Sequence, residues 1–139
     1  MFRRILVGYT GSELSRKALS TALELAALSG CEVIAVAVVE TPPFPGLIAE
    51  VDRAVAAAEE ALVPAFAWAR SAAERSEVPI TLRTRVGPPA ESLVRMAEEE
   101  GCDLIVLGHR ERPWVQLWWS DSIGERVLRR APCSILMIR

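Results

Sequence analysis

The chain has 139 residues, 51% of them hydrophobic and 24% charged, with a net charge of −2. That length makes one domain, residues 1–139, large enough to bury most of the surface its unfolded chain exposes. The near-neutral balance leaves no electrostatic footprint for nucleic acid or an anionic membrane, and the apolar runs are strand-sized, well below the roughly 20 residues of a membrane span.

The opening MFRRILVG has too short an apolar part for a signal-peptide core, so the expected location is the cytoplasm. Phe2 to Val7 reads as a buried strand, ended by Gly8 and the turn Thr10-Gly11-Ser12. From Ser12 to Ser29 apolar residues recur at Leu14, Ala18, Ala22 and Leu25, which is helical spacing. Ser12 is the expected N-cap and Gly30 the C-terminal stop. Glu32–Val39, EVIAVAVV, is apolar on both faces, as a strand covered by helices on each side should be. The three prolines of Thr41–Gly46 exclude regular structure there. Ile48 to Ser76 reads as a long helix that Pro64 should kink or split in two. Trp68, on this helix, is expected as a core or dimer-facing anchor.

Ile80 to Val86 alternates apolar and polar residues, the mark of a half-exposed edge strand. Gly87-Pro88-Pro89 opens a third helix, ended by Gly101, and Leu104–Leu107 is a fourth strand ending at Gly108. Ser122 and Glu125 have capping-box spacing for a last helix, whose final turn carries Arg129 and Arg130. After Pro132, Ser134–Ile138 is a fifth strand. Cys31, Cys102 and Cys133 each precede a strand without any CxxC spacing, so they read as small buried hydrophobes. Strands alternating with helices predict a parallel sheet covered on both faces.

ILVGYTGSELSRKAL at Ile5–Leu19, DLIVLG at Asp103–Gly108 and SIGERVLRRAPCSILMIR at Ser122–Arg139 resemble the universal stress proteins. The resemblance implies a single open five-stranded parallel sheet in the order 3-2-1-4-5, Rossmann-like and akin to the adenine nucleotide alpha-hydrolases. It also implies a homodimer that pairs the last strand through Ile135, Leu136 and Met137. The nucleotide binders of that family resemble one another in a G-x2-G-x9-G-(S/T) loop after the fourth strand. Here its first glycine is Gly108 and its hydroxyl residue Ser122, whereas Glu111 and Asp121 occupy the other two glycine positions. Thr10 stands where binders carry an acid that holds the nucleoside. Val38 and Leu107 match the apolar positions that flank the adenine.

Glycines in such loops let backbone N–H groups approach phosphate. A carboxylate about 5–6 Å from a phosphate instead costs on the order of 1–3 kcal/mol. The expectation is therefore a non-catalytic binding or regulatory module of the stress response, with a degenerate ATP loop and no cofactor. The alternative is an ATP-binding member, with magnesium and weak hydrolysis, in which Arg110 and Arg112 replace the glycine cradle. The competing role for those arginines is to pair with Glu111 and Asp121. Ser122 is either a phosphate-facing hydroxyl or a helix cap. His109 has no partner at a catalytic spacing, so no catalytic residue is assigned. Glu111 and Asp121 alone are a weak metal pair, and none is assigned.

Pro113–Trp119 places Trp114 and Trp118 one helical turn apart. Large aromatics need covering. They either fold over the crevice or meet a protein partner. A receiver domain is excluded, because the first strand ends in Gly8-Tyr9-Thr10 without acids and Lys17 is the sole lysine.

Overall fold

The computed structural model describes residues 2–40, 48–109 and 123–139. In chain order they form β1 (Arg4–Gly8), α1 (Glu13–Ser29), β2 (Glu32–Val39), α2 (Ile48–Ser76), β3 (Ile80–Val86), α3 (Pro89–Glu100), β4 (Leu104–Gly108), α4 (Ile123–Arg130) and β5 (Ser134–Ile138). All strand pairs are parallel, as the alternation of apolar runs and helical stretches predicts, and the order is β3-β2-β1-β4-β5, as the family resemblance implies.

Two apolar layers sandwich the sheet. On one face Ile5, Val7, Val33 and Val106 pack against Leu19 and Leu23 of α1 and Ala69 and Ala73 of α2. On the other, Leu6, Ile34, Val36 and Ile105 pack against Leu93 and Ala97 of α3 and Val127 of α4. The central strands are apolar on both sides because both sides are covered. At the edge, β3 alternates between half-buried and exposed residues over its first half, as its period of two predicts. At the amino ends of the strands, the Asp103 carboxylate accepts from Arg3 N at 3.0 Å and Arg4 N at 3.2 Å, which ties β4 to β1.

The helix ends follow local chemistry. Ser12 caps α1 by accepting from Ser15 N at 3.2 Å. Gly30 and Gly101 close α1 and α3 in the left-handed conformation, at φ 70 and 66. The expected splitting of α2 at Pro64 does not occur, since one helix runs through it. Proline removes one N–H and frees one carbonyl a turn earlier, at Glu60. Glu60 and Pro64 both lie on the exposed side, where water can satisfy that carbonyl. The buried stripe of α2 begins only after the proline, at Ala65.

Trp68 packs partly buried against the α1–α2 layer, with the Arg16 guanidinium 5.0 Å from its ring. The three cysteines are free thiols, Cys31 and Cys102 buried and Cys133 half-buried. Burial pushes the Cys102 thiol up to about 12, against the opposing pull of Arg4. Ser122, the expected cap of α4, lies outside the described residues, while Glu125 stands in that helix's first turn. Among the described residues, no helix is long and apolar enough to cross a membrane.

Candidate functional site

In the order 3-2-1-4-5 the chain leaves β1 toward one side of the sheet and returns to β4 on the other. The loops after these two strands therefore diverge, and open parallel sheets bind ligands in the crevice between them. On the β1 side, Tyr9 N still bonds to Val36 O at 2.9 Å before the chain turns. Gly11 then takes φ 86, and a Cβ there would lie 2.5 Å from Ala65 Cβ. Only glycine combines that backbone conformation with so close an approach to α2.

Thr10 sits at the mouth, exposed, but its groups are engaged. Its N–H donates to Ser15 Oγ at 3.2 Å, and its Oγ1 reaches Ser12 Oγ at 3.0 Å and Ser15 Oγ at 3.3 Å. Ser15 in turn donates to the Ser12 carbonyl at 2.9 Å and is itself buried. This neutral knot of hydroxyls fixes the turn and serves the start of α1. It puts no carboxylate at the end of β1.

On the β4 side, Leu107 is level with Gly8 and leans across it. A Cβ on Gly8 would meet Leu107 Cδ2 at 2.7 Å and Leu93 Cδ2 at 3.6 Å. Leu107 is buried, and half-buried Val38 packs against the same cluster beneath α3. The two expected adenine-flanking positions thus belong to one apolar cluster, with Leu107 filling the notch left by the side-chain-free Gly8. Gly108 has a close neighbour of its own, since a Cβ there would lie 2.7 Å from Leu14 Cγ. Its first duty is to let the start of α1 pack against the end of β4. His109 follows, half-buried, its N–H donating to Ile138 O at 2.6 Å.

Of the residues expected at the site, four are described: Thr10 follows β1, Val38 lies on β2, and Leu107 and Gly108 end β4. Arg110, Glu111, Arg112, Trp114, Trp118, Asp121 and Ser122 lie outside the described residues. Ile135, Leu136 and Met137 are half-buried on β5, the edge strand on the β4 side.

Sequence reasoning passed over Tyr9. It is 1% exposed, donates through its hydroxyl to Ala65 O at 2.7 Å, and stacks on Phe66 at a centroid distance of 6.5 Å. Burial raises its pKa, with Arg16 acting the other way. The signal was available, because an aromatic with a polar tip directly after a buried strand needs a hydrogen-bond partner. With Gly11, Tyr9 clamps the β1–α1 turn onto α2 beside Pro64.

Residues 1–139 match the family described as the universal stress protein family. A universal stress protein of Methanocaldococcus jannaschii is 30% identical over the whole of this chain and 83% of its own length. A solved protein of the universal stress protein family from Burkholderia pseudomallei is 34% identical, with a TM-score of 0.78 over 97% of this chain and 94% of that one. A universal stress protein crystallised in complex with cAMP gives a TM-score of 0.80 at 24% identity, over 99% of this chain and 97% of that one. At that identity the likeness speaks for the fold.

Proposed function

The chain belongs to the universal stress protein family, and from that premise we propose that it is a non-catalytic binding and regulatory module of the stress response whose crevice does not take ATP in the family's ordinary way. The observation that carries this reading is the Thr10 knot. Where binders resemble one another in an acid that holds the nucleoside, this chain has a hydroxyl already committed to Ser12 and Ser15. Glu111 and Asp121, in place of two loop glycines, add negative charge where phosphates would lie. The module dimerises through β5, whose outer edge has no strand neighbour among the described residues.

A second reading, an ATP-binding protein using Arg110 and Arg112 with magnesium, draws on the retained apolar pair Val38 and Leu107. It also draws on the cAMP held by a relative of the same fold. Calorimetric titration of variants separates the two. If the acids exclude ATP, Glu111→Gly with Asp121→Gly gains affinity, and adding Thr10→Asp gains more, about tenfold for each 1.4 kcal/mol recovered. If the arginines form the cradle, the wild type binds ATP at micromolar concentration, Arg110→Ala and Arg112→Ala weaken it, and the glycine variants gain nothing.

A further inference from the structure

The sheet has a second open edge, at β3, far from the crevice. Among the described strands β3 pairs only with β2. The ladder between them opens with Val33 N donating to Pro79 O and closes with Gly87 N donating to Val39 O, both at 3.0 Å. In a parallel pair, alternate residues of a strand bond to a given neighbour. Positions 81, 83 and 85 therefore face β2, while Ile80, Leu82, Thr84 and Val86 turn their N–H and C=O groups outward. An unpaired row of this kind accepts extended backbone and little else.

Beside the amino-terminal half of that edge, on the α2 side, lies a groove of about 410 Å³. Ala73, Val78, Ile80 and Leu82 make its apolar floor, and Arg70, Glu74 and Glu77 its rim. Charge is distributed unevenly across the two faces of β3. On the α3 face Arg85 pairs with Glu99 at 2.7 Å and Arg83 with Glu100 at 3.6 Å. On the groove face Glu74 and Glu77 are exposed, and among the described residues neither carboxylate has an ion pair or a side-chain hydrogen bond. Glu77 also sits at φ 54, in the left-handed position where α1 and α3 use Gly30 and Gly101. A side chain there strains the backbone, so the chain tolerates a cost that the ends of α1 and α3 avoid.

We propose that the β3 edge docks an extended segment of a partner protein, with apolar side chains seated over Ile80 and Leu82 and a lysine or arginine placed against Glu74 and Glu77. The open amides fit an added strand, the groove floor fits apolar residues at alternate positions, and the exposed carboxylates fit a cation. A second copy of the chain fits less well. Antiparallel pairing of two β3 edges about their middle sets Arg83 against Arg83, a like-charge opposition.

The test uses fluorescence polarisation with the full chain and a labelled octapeptide that alternates threonine with valine, valine, lysine and lysine. Saturable binding at micromolar concentration is expected. Replacing both lysines by glutamate, or reversing the groove with Glu74→Lys plus Glu77→Lys, weakens it about tenfold or more. Thr84→Pro removes one outward N–H at an exposed edge position where proline is tolerated, and abolishes binding while the circular dichroism spectrum stays unchanged. The two lysine substitutions are at exposed positions, so they report on docking even if the proline variant folds poorly. The proposal is overturned if the lysine peptide does not bind, or if binding is indifferent to Glu74→Lys plus Glu77→Lys. It is equally overturned if Thr84→Pro changes the sedimentation of the free protein, which would give the edge to a second copy.

Discussion

Gly11 joins the turn after β1 to α2 by having no side chain. Its φ of 86 and the 2.5 Å from a built Cβ to Ala65 Cβ act together. Gly11→Ala is therefore expected to destabilise the fold by about 1–3 kcal/mol, read as a fall in the urea midpoint at unchanged slope. The thiols and the Tyr9 hydroxyl, whose pKa values the fold raises, make it sensitive to alkali. Cys102 is held at about 12, and Tyr9, Cys31 and Cys133 are shifted upward as well, all chiefly by burial. A group whose folded pKa is raised contributes stability that is fully present below its unfolded pKa and lost as pH rises through the folded value. Stability should hold up to about pH 9 and fall between there and about pH 12. Denaturant midpoints at about pH 8 and pH 10.5 measure the loss, and Cys102→Ala should shrink the difference between them. Thr10 was legible as a departure from the binders' pattern. Its knot with Ser12 and Ser15 was not, because the sequence shows a hydroxyl but not which neighbour claims it.

The helices show which local signals decide. The caps at Ser12, Gly30 and Gly101 were readable because each rests on one residue's own chemistry. Pro64 does not split α2, and the sequence alone does not say that Glu60, whose carbonyl the proline frees, is exposed. The end of α2 at Ser76 was readable, but not how it closes: Val78 N bonds to Ala73 O at 3.1 Å in a left-handed cap built on a glutamate, with no glycine to announce it. Glu77→Gly should relieve that strain and stabilise the protein by about 0.5–1 kcal/mol, a rise in Tm of about 2–4 °C. If β3 docks a basic strand, the same substitution weakens that docking. Stability and binding then move in opposite directions, which a purely structural role for Glu77 does not predict.

At the scale of the molecule, the parallel sheet was legible in alternating apolar runs and amphipathic helices, and the strand order in the resemblance of the first strand, the fourth strand and the last helix to the family. The divergence of the loops after β1 and β4 follows from that order, and Val38 and Leu107 share one apolar cluster beneath it. Residues 110–122 lie outside the described ones, and their chemistry, Glu111, Asp121 and three tryptophans, was legible in the sequence. On the function proposed above, this member has kept the family's frame and given up ATP binding of the ordinary kind. Titrating the wild-type protein with ATP and magnesium, followed by intrinsic tryptophan fluorescence and by calorimetry, tests it most directly. No saturable heat and no fluorescence change at micromolar nucleotide is the predicted result. A saturable signal in that range contradicts it.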